Sequence, residues 1–102
     1  MLKVTINKTT EKKLNDYVSV YKGNFDKMFN DILLYRAEQL TKAIKVLKLD
    51  LVSFEKKYSM TSEHFYELFE SGKLDDKNND FYQWSGEYEV YKDYQEEIKM
   101  LR

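Results

Sequence analysis

The side chains that could do chemistry in this chain are suited to binding more than to bond-making. Lys3, Thr5 and Asn7 stand at every second position of Leu2-Lys3-Val4-Thr5-Ile6-Asn7, so in an extended backbone they share one face. Their donors and acceptors suit base edges: lysine donates to guanine, asparagine can pair bidentately with adenine, and threonine can donate or accept. A second set is aromatic. Phe65, Phe69, Phe81, Trp84, Tyr88 and Tyr91 lie in an acidic C-terminal stretch, and Trp and Tyr anchor many protein–protein contacts. The same row could equally form an internal core, and the spacing allows both.

Other constellations are weaker. His64 is the one histidine and there is no cysteine, so a zinc site would need carboxylates, and an ordinary amphipathic position is the better reading. Asp76, Asn78, Asp80 and Glu87 fall at positions 1, 3, 5 and 12 of a calcium loop, but Phe81 stands where that loop needs glycine. A polar loop followed by a helix cap is expected there instead. With no Gly-rich phosphate loop, nucleophile context or paired-acid spacing, neither an enzyme nor a cofactor is expected.

The elements that must position these residues follow from pattern. Leu33, Ala37, Leu40, Ile44, Leu47, Leu51, Phe54 and Tyr58 step by four and three, a heptad stripe that predicts one long helix over residues 24–58. The chain has no proline to interrupt it. Such a helix is roughly 50 Å long, and its seam needs a partner: a second copy, as in a coiled coil, or the C-terminal helix of the same chain. Before it, Leu2, Val4 and Ile6 alternate with polar residues and predict a half-buried strand. A lone strand leaves backbone groups unpaired, so the expected partner is the same strand of another copy about a two-fold axis.

Thr9 or Thr10 is expected to cap a short helix with Leu14, Tyr17, Val18 and Tyr21 on one face. Gly23 should end it in the left-handed cap position and Asn24 should cap the long helix. After Tyr58, Thr61 or Ser62 should cap a short helix closed by Ser71 and Gly72. Asp80 should cap a last helix reaching about Leu101, with Phe81, Trp84, Tyr88, Tyr91, Ile98 and Leu101 on one face. Gly86 inside that helix costs about 1 kcal/mol, which a close approach of another backbone would explain.

Composition is compatible with one ordinary domain or two small modules sharing a helix. Of 102 residues, 42% are hydrophobic and 34% charged, a balance usual for long exposed helices. The net charge of −1 hides an asymmetry: residues 1–48 carry ten basic and five acidic side chains, residues 49–102 seven and thirteen. The first balance suits a polyanion and the second a basic protein, unless both are solvated helix faces. No apolar run has the length of a membrane span and no signal-peptide core is present, so a cytoplasmic protein without a membrane partner is expected.

The order strand, short helix, Gly23-Asn24 turn and a second helix opening Asn24-Phe25-Asp26-Lys27-Met28-Phe29-Asn30-Asp31-Ile32-Leu33 resembles a ribbon-helix-helix DNA-binding domain of the Arc and MetJ kind, over roughly residues 2–48. The resemblance implies that two strands pair into a ribbon that enters the major groove of operator DNA. Lys3, Thr5 and Asn7 would then be the readers, with Lys22, Asn24 and Lys27 at the phosphates. Asp26 departs from that pattern, because it would repel a phosphate. Small ribbon-helix-helix proteins with an acidic, aromatic extension are similar to antitoxins of type II toxin–antitoxin pairs. The expected fold is therefore mainly α, with one N-terminal β-strand forming an intermolecular ribbon, a long heptad-patterned helix and a C-terminal helical pair. Residues 1–48 would be the dimerisation and DNA-binding module and residues 49–102 the partner-binding extension. The function implied is an antitoxin that neutralises a toxin and represses its operon in transcription regulation, as a homodimer. The alternative is a helical protein–protein adaptor that dimerises through the strand and binds no DNA.

Overall fold

A computed structural model describes residues 2–75 and 77–101, and the regular elements among them are four α-helices. Asn7 starts the first. Its backbone is extended, and its side-chain oxygen accepts from the Thr10 N–H at 2.8 Å, satisfying a donor that the first helical turn leaves without a partner. Helix α1 runs over Lys8–Val20. It ends when the Gly23 N–H reaches back to the Val18 carbonyl at 3.1 Å and the Lys22 N–H to Ser19 at 3.0 Å. That paired closure needs a left-handed residue; Lys22 supplies it at φ 55°, and Gly23 follows at φ 83°.

Asn24 then caps α2, accepting from the Lys27 N–H at 3.1 Å. The helix runs over Phe25–Tyr58, 34 residues without a break, as expected where proline and glycine are absent. Ser59, left-handed at φ 55°, closes it. Thr61 caps α3, Ser62–Glu70, by accepting from His64 N–H at 3.1 Å. The Glu55 carboxylate accepts from the Ser62 N–H at 2.8 Å, placing negative charge at the positive end of that helix. Asn78 caps α4, Asn79–Met100, through the Asp80 N–H at 2.8 Å.

The chain divides into two compact units, Met1–Tyr35 and Arg36–Arg102. The change of charge sign near residue 48 lies inside the second. In that unit α4 runs antiparallel to α2: Arg36 meets Glu97, Lys48 lies 5.7 Å from the Tyr91 ring, and the Tyr58 and Phe81 rings are 5.1 Å apart. Helix α3 lies against α4. Leu51, Phe65, Phe81 and Trp84 are the buried centre, with Phe54, Tyr58, Phe69, Tyr88 and Tyr91 packed around them. Trp84 is the keystone: fully buried, stacked on Phe65 at 3.8 Å between ring centroids and on Phe54 at 5.5 Å. Its indole N–H donates to the buried Ser62 hydroxyl at 2.9 Å. Within this unit the heptad stripe from Ala37 to Tyr58 is the inner face of α2, with Leu40 and Leu51 buried and its other members half-buried.

The expected N-terminal strand is absent. Residues 2–6 form neither helix nor strand, and Leu2, Val4 and Ile6 are 86%, 68% and 42% exposed. The physical reason is that alternation supplies only one side of a strand. Hydrogen-bond pairing supplies the rest, and among the described residues every other regular segment of this chain is helical. The ribbon-helix-helix resemblance and the intermolecular ribbon are overturned by the same finding, since that fold begins with a strand. The first helix starts earlier than Thr9 or Thr10 would allow, because Asn7 takes the cap. Likewise Asn78, not Asp80, caps α4.

Candidate functional site

The first unit stands out for what it leaves uncovered. On α1 and its C-cap, Leu14, Tyr17, Val18 and Tyr21 recur at helical spacing, yet the helix buries no residue at all. In α2, Phe25, Met28, Phe29 and Ile32 form the facing stripe, and among the described residues of this unit Met28, 1% exposed, is the one buried apolar side chain. Around it Leu14, Tyr17 and Ile32, with Thr10 and Lys13, line an open groove of about 480 Å³. Phe25 and Phe29 stack at 6.0 Å alongside. Tyr17, Phe25, Phe29 and Ile32 keep between 44% and 48% of their surface exposed, and Val20 keeps 70%. Scattered apolar residues on a surface are ordinary; here several of them share one helical hairpin.

One polar contact ties the end of α1 to α2, and a second lies within α2 beside it. The Tyr21 hydroxyl donates to the Asp31 carboxylate at 2.7 Å, and Lys27 stands 3.7 Å from the same group. That hydrogen bond holds the Tyr21 hydroxyl above its ordinary pKa, because ionising it would set two anions together. The Tyr17 and Tyr21 rings meet edge to face at 5.5 Å. The arrangement offers a rigid aromatic strip with polar margins and no nucleophile.

The residues expected to read DNA are spread over the segment before α1, its turn and the start of α2. Asn7 and Asn24 are helix caps, their oxygens already accepting from backbone N–H groups. Lys22 forms the left-handed turn, Lys27 pairs with Asp31, and Lys3 and Thr5 sit exposed in the segment before α1. Of the residues expected to bind a partner protein, Phe65, Phe81 and Trp84 are buried in their own unit, and Phe69, Tyr88 and Tyr91 are half-buried against them. The open choice between core and surface thus falls to core. Phe25, Phe29 and Ile32 were missed as a surface, although their three- and four-residue spacing is visible in the chain.

In the second unit the polar contacts are structural. Arg36 donates to both Glu97 oxygens, at 2.6 and 3.0 Å, and this holds the Glu97 carboxyl below its usual range. Lys57 and the Tyr58 hydroxyl both donate to one Asp80 oxygen at 2.6 Å, which lowers that carboxyl as well. Burial pushes the Glu87 carboxyl up, with the Asp50 charge adding to it. Tyr66, donating to Glu89 at 2.5 Å, is raised to about 12. His64 is exposed on α3. Of the four groups considered for calcium, Asp76 lies outside the described residues, while Asn78 is a cap and Asp80 is held by Lys57 and Tyr58. Among the described residues no group of three or more His, Asp or Glu side chains could hold a metal, and no helix is long and apolar enough to cross a membrane.

No protein-family model matches the chain, and neither a curated protein nor a solved structure is found to be similar to it.

Proposed function

We propose that this chain is a protein-binding helical module, working through the face of the α1–α2 hairpin rather than by catalysis. The observation that carries the reading is the imbalance in the first unit: among its described residues Met28 alone is buried, while Leu14, Tyr17, Val20, Phe25, Phe29 and Ile32 are 36–70% exposed. Aromatic and branched side chains grouped on a rigid helical face are the usual anchors of helix-in-groove recognition. The second unit, with its own aromatic core, is the stable body that carries the hairpin. The test is photo-crosslinking in cells with benzoylphenylalanine at position 29. A covalent protein adduct at Phe29, and none at Lys12 on the opposite side of α1, is the expected result. If position 29 gives no adduct, or Lys12 gives the same one, the hairpin face is not a binding surface.

A second reading is the antitoxin, supported by the charge asymmetry alone: residues 49–102 carry thirteen acidic side chains against seven basic. With Trp84 inside the core, contact with a basic toxin falls to exposed groups, among them Glu63, Glu67, Glu70 and Tyr82. Reversing the three glutamates to lysine should then abolish protection against a toxic neighbouring gene product. Unchanged protection would end this reading.

A further inference from the structure

Resting on the hairpin face as a protein-binding surface, we propose that its occupant is the same face of a second copy of this chain, the two hairpins packing as four helices about a two-fold axis. The first consideration is permanence. A helix of 13 residues with no buried side chain is marginal in water, because isolated helices shorter than about 12–15 residues seldom persist and draw their stability from packing. Folded units below about 40 residues commonly need added stabilisation such as oligomerisation. A partner met only occasionally would leave α1 unsupported between encounters. Another copy is always present at the chain's own concentration.

The second consideration is area. Tyr17, Phe25 and Phe29 are each close to half exposed, which leaves on the order of 100 Å² of each ring side chain open. With Leu14, Val20 and Ile32 the strip offers on the order of 500 Å² per protomer. In the dimer proposed, Leu2, Val4 and Ile6, exposed in the segment that precedes α1, fold onto the same contact and bring the sum to about 800 Å², the share each partner contributes to a standard stable interface. The segment that carries them joins α1 at Asn7, one turn before Thr10 on the groove wall.

The third consideration is charge. A two-fold contact places a surface against itself, so a face of one sign would repel its copy. This unit carries six lysines and four carboxylates, a mixture that lets each copy set acids against the other's lysines at the rim.

Sedimentation of the full chain tests the inference. The wild type should be a dimer at about 10 µM, the concentration dependence expected of subunits that stabilise one another. Phe29→Glu combined with Ile32→Glu should weaken association by about 100-fold or more, since charges would be forced into the centre of the contact. Leu34→Glu, 60% exposed and on the opposite side of α2, should remain dimeric. Trp84 fluorescence should be unchanged in both variants, showing that the second unit is still folded. A monomeric wild type at about 100 µM, a double variant that dimerises like wild type, or a Leu34 variant that falls apart would each overturn the inference. A monomer whose position-29 crosslink captures a different protein would overturn the inference alone and leave the hairpin-binding reading standing. A monomer with no crosslink would remove both.

Discussion

Replacing Trp84 with alanine should come close to unfolding the second unit. The side chain is fully buried, and three rings lie against it: Phe65 at 3.8 Å, Phe54 at 5.5 Å and Tyr58 at 5.8 Å between centroids. Truncating a large buried aromatic to alanine costs about 3–5 kcal/mol, the transfer term plus the cavity that remains. Here the cavity is walled by planar rings from two helices, Phe54 and Tyr58 of α2 and Phe65 of α3, which cannot all move inward at once, so the upper part of that range applies. A second loss follows. The Ser62 hydroxyl is 4% exposed and accepts the indole N–H at 2.9 Å; left without that donor it adds about 1 kcal/mol. The sum, about 5 kcal/mol, matches the lower end of the stability of ordinary small domains.

Phe at the same position keeps the stack and loses the hydrogen bond and part of the volume, so Trp84→Phe should cost about 1–3 kcal/mol. Combining it with Ser62→Ala should cost less than the two singles added, by about 1 kcal/mol, because both remove one interaction. The assay is urea unfolding followed by far-ultraviolet circular dichroism, which does not depend on the tryptophan being probed. If Trp84→Ala costs less than about 1 kcal/mol, the ring is not the centre of this core. A surface anchor would show that small cost together with a large loss of partner binding, the opposite pattern.

Three further outcomes are expected. Asn7→Ala should cost about 1 kcal/mol and lower α1 helicity, read as faster amide hydrogen exchange at Glu11 and Lys12; unaltered exchange would remove the capping role. Gly86→Ala should stabilise α4 by about 0.5–1 kcal/mol, because an added Cβ meets nothing within 4 Å there; a destabilised variant would mean that another backbone does approach. The acid limb of stability should reflect two opposite linkages. Asp80 and Glu97 are held low by Lys57 and Arg36, so their contribution is present above the ordinary carboxylate range and lost as pH falls through it. Glu87 is raised by burial, so the stability it lends is full below the ordinary glutamate pKa and lost as pH rises past it. Glu87→Gln should therefore raise the melting temperature at neutral pH and lose that advantage in acid, whereas a neutral-pH decrease would contradict the assignment.

Much of the fold was legible because helices are local. The heptad residues from Leu33 to Tyr58 announced α2 and its inner face, and the turn residues Gly23, Asn24, Thr61 and Gly72 marked where the chain stops and restarts. Each of those signals is a short-range requirement, a φ value or an unpaired N–H, that a side chain satisfies without reference to the rest of the molecule. The core pairing of Trp84 with Ser62 was not legible, since 22 residues separate them and nothing in either residue type names the other. The presumed purpose of Gly86 was also misread: no close backbone approach occupies the space beside it.

The N-terminal segment shows why the functional site was the harder part. Leu2, Val4 and Ile6 alternate as a strand does, but a strand is a relation between two segments, and only one was available. Asn7 then serves the helix instead of a ribbon, because the cap needs only the Thr10 N–H three residues away while a ribbon needs a second extended chain. Once the strand is removed, the apolar residues of the first unit cover one another only in part: Tyr17 meets Tyr21 and Phe25 meets Phe29, yet Tyr17, Phe25 and Phe29 stay nearly half exposed. Leu14, Tyr17, Phe25, Phe29 and Ile32 are too many for one hairpin to enclose, since two helices in contact can cover only the stripe where they meet. Met28 occupies that stripe. The surplus on either side of it is therefore a consequence of geometry, and under the function proposed above it is the surface that a second copy covers.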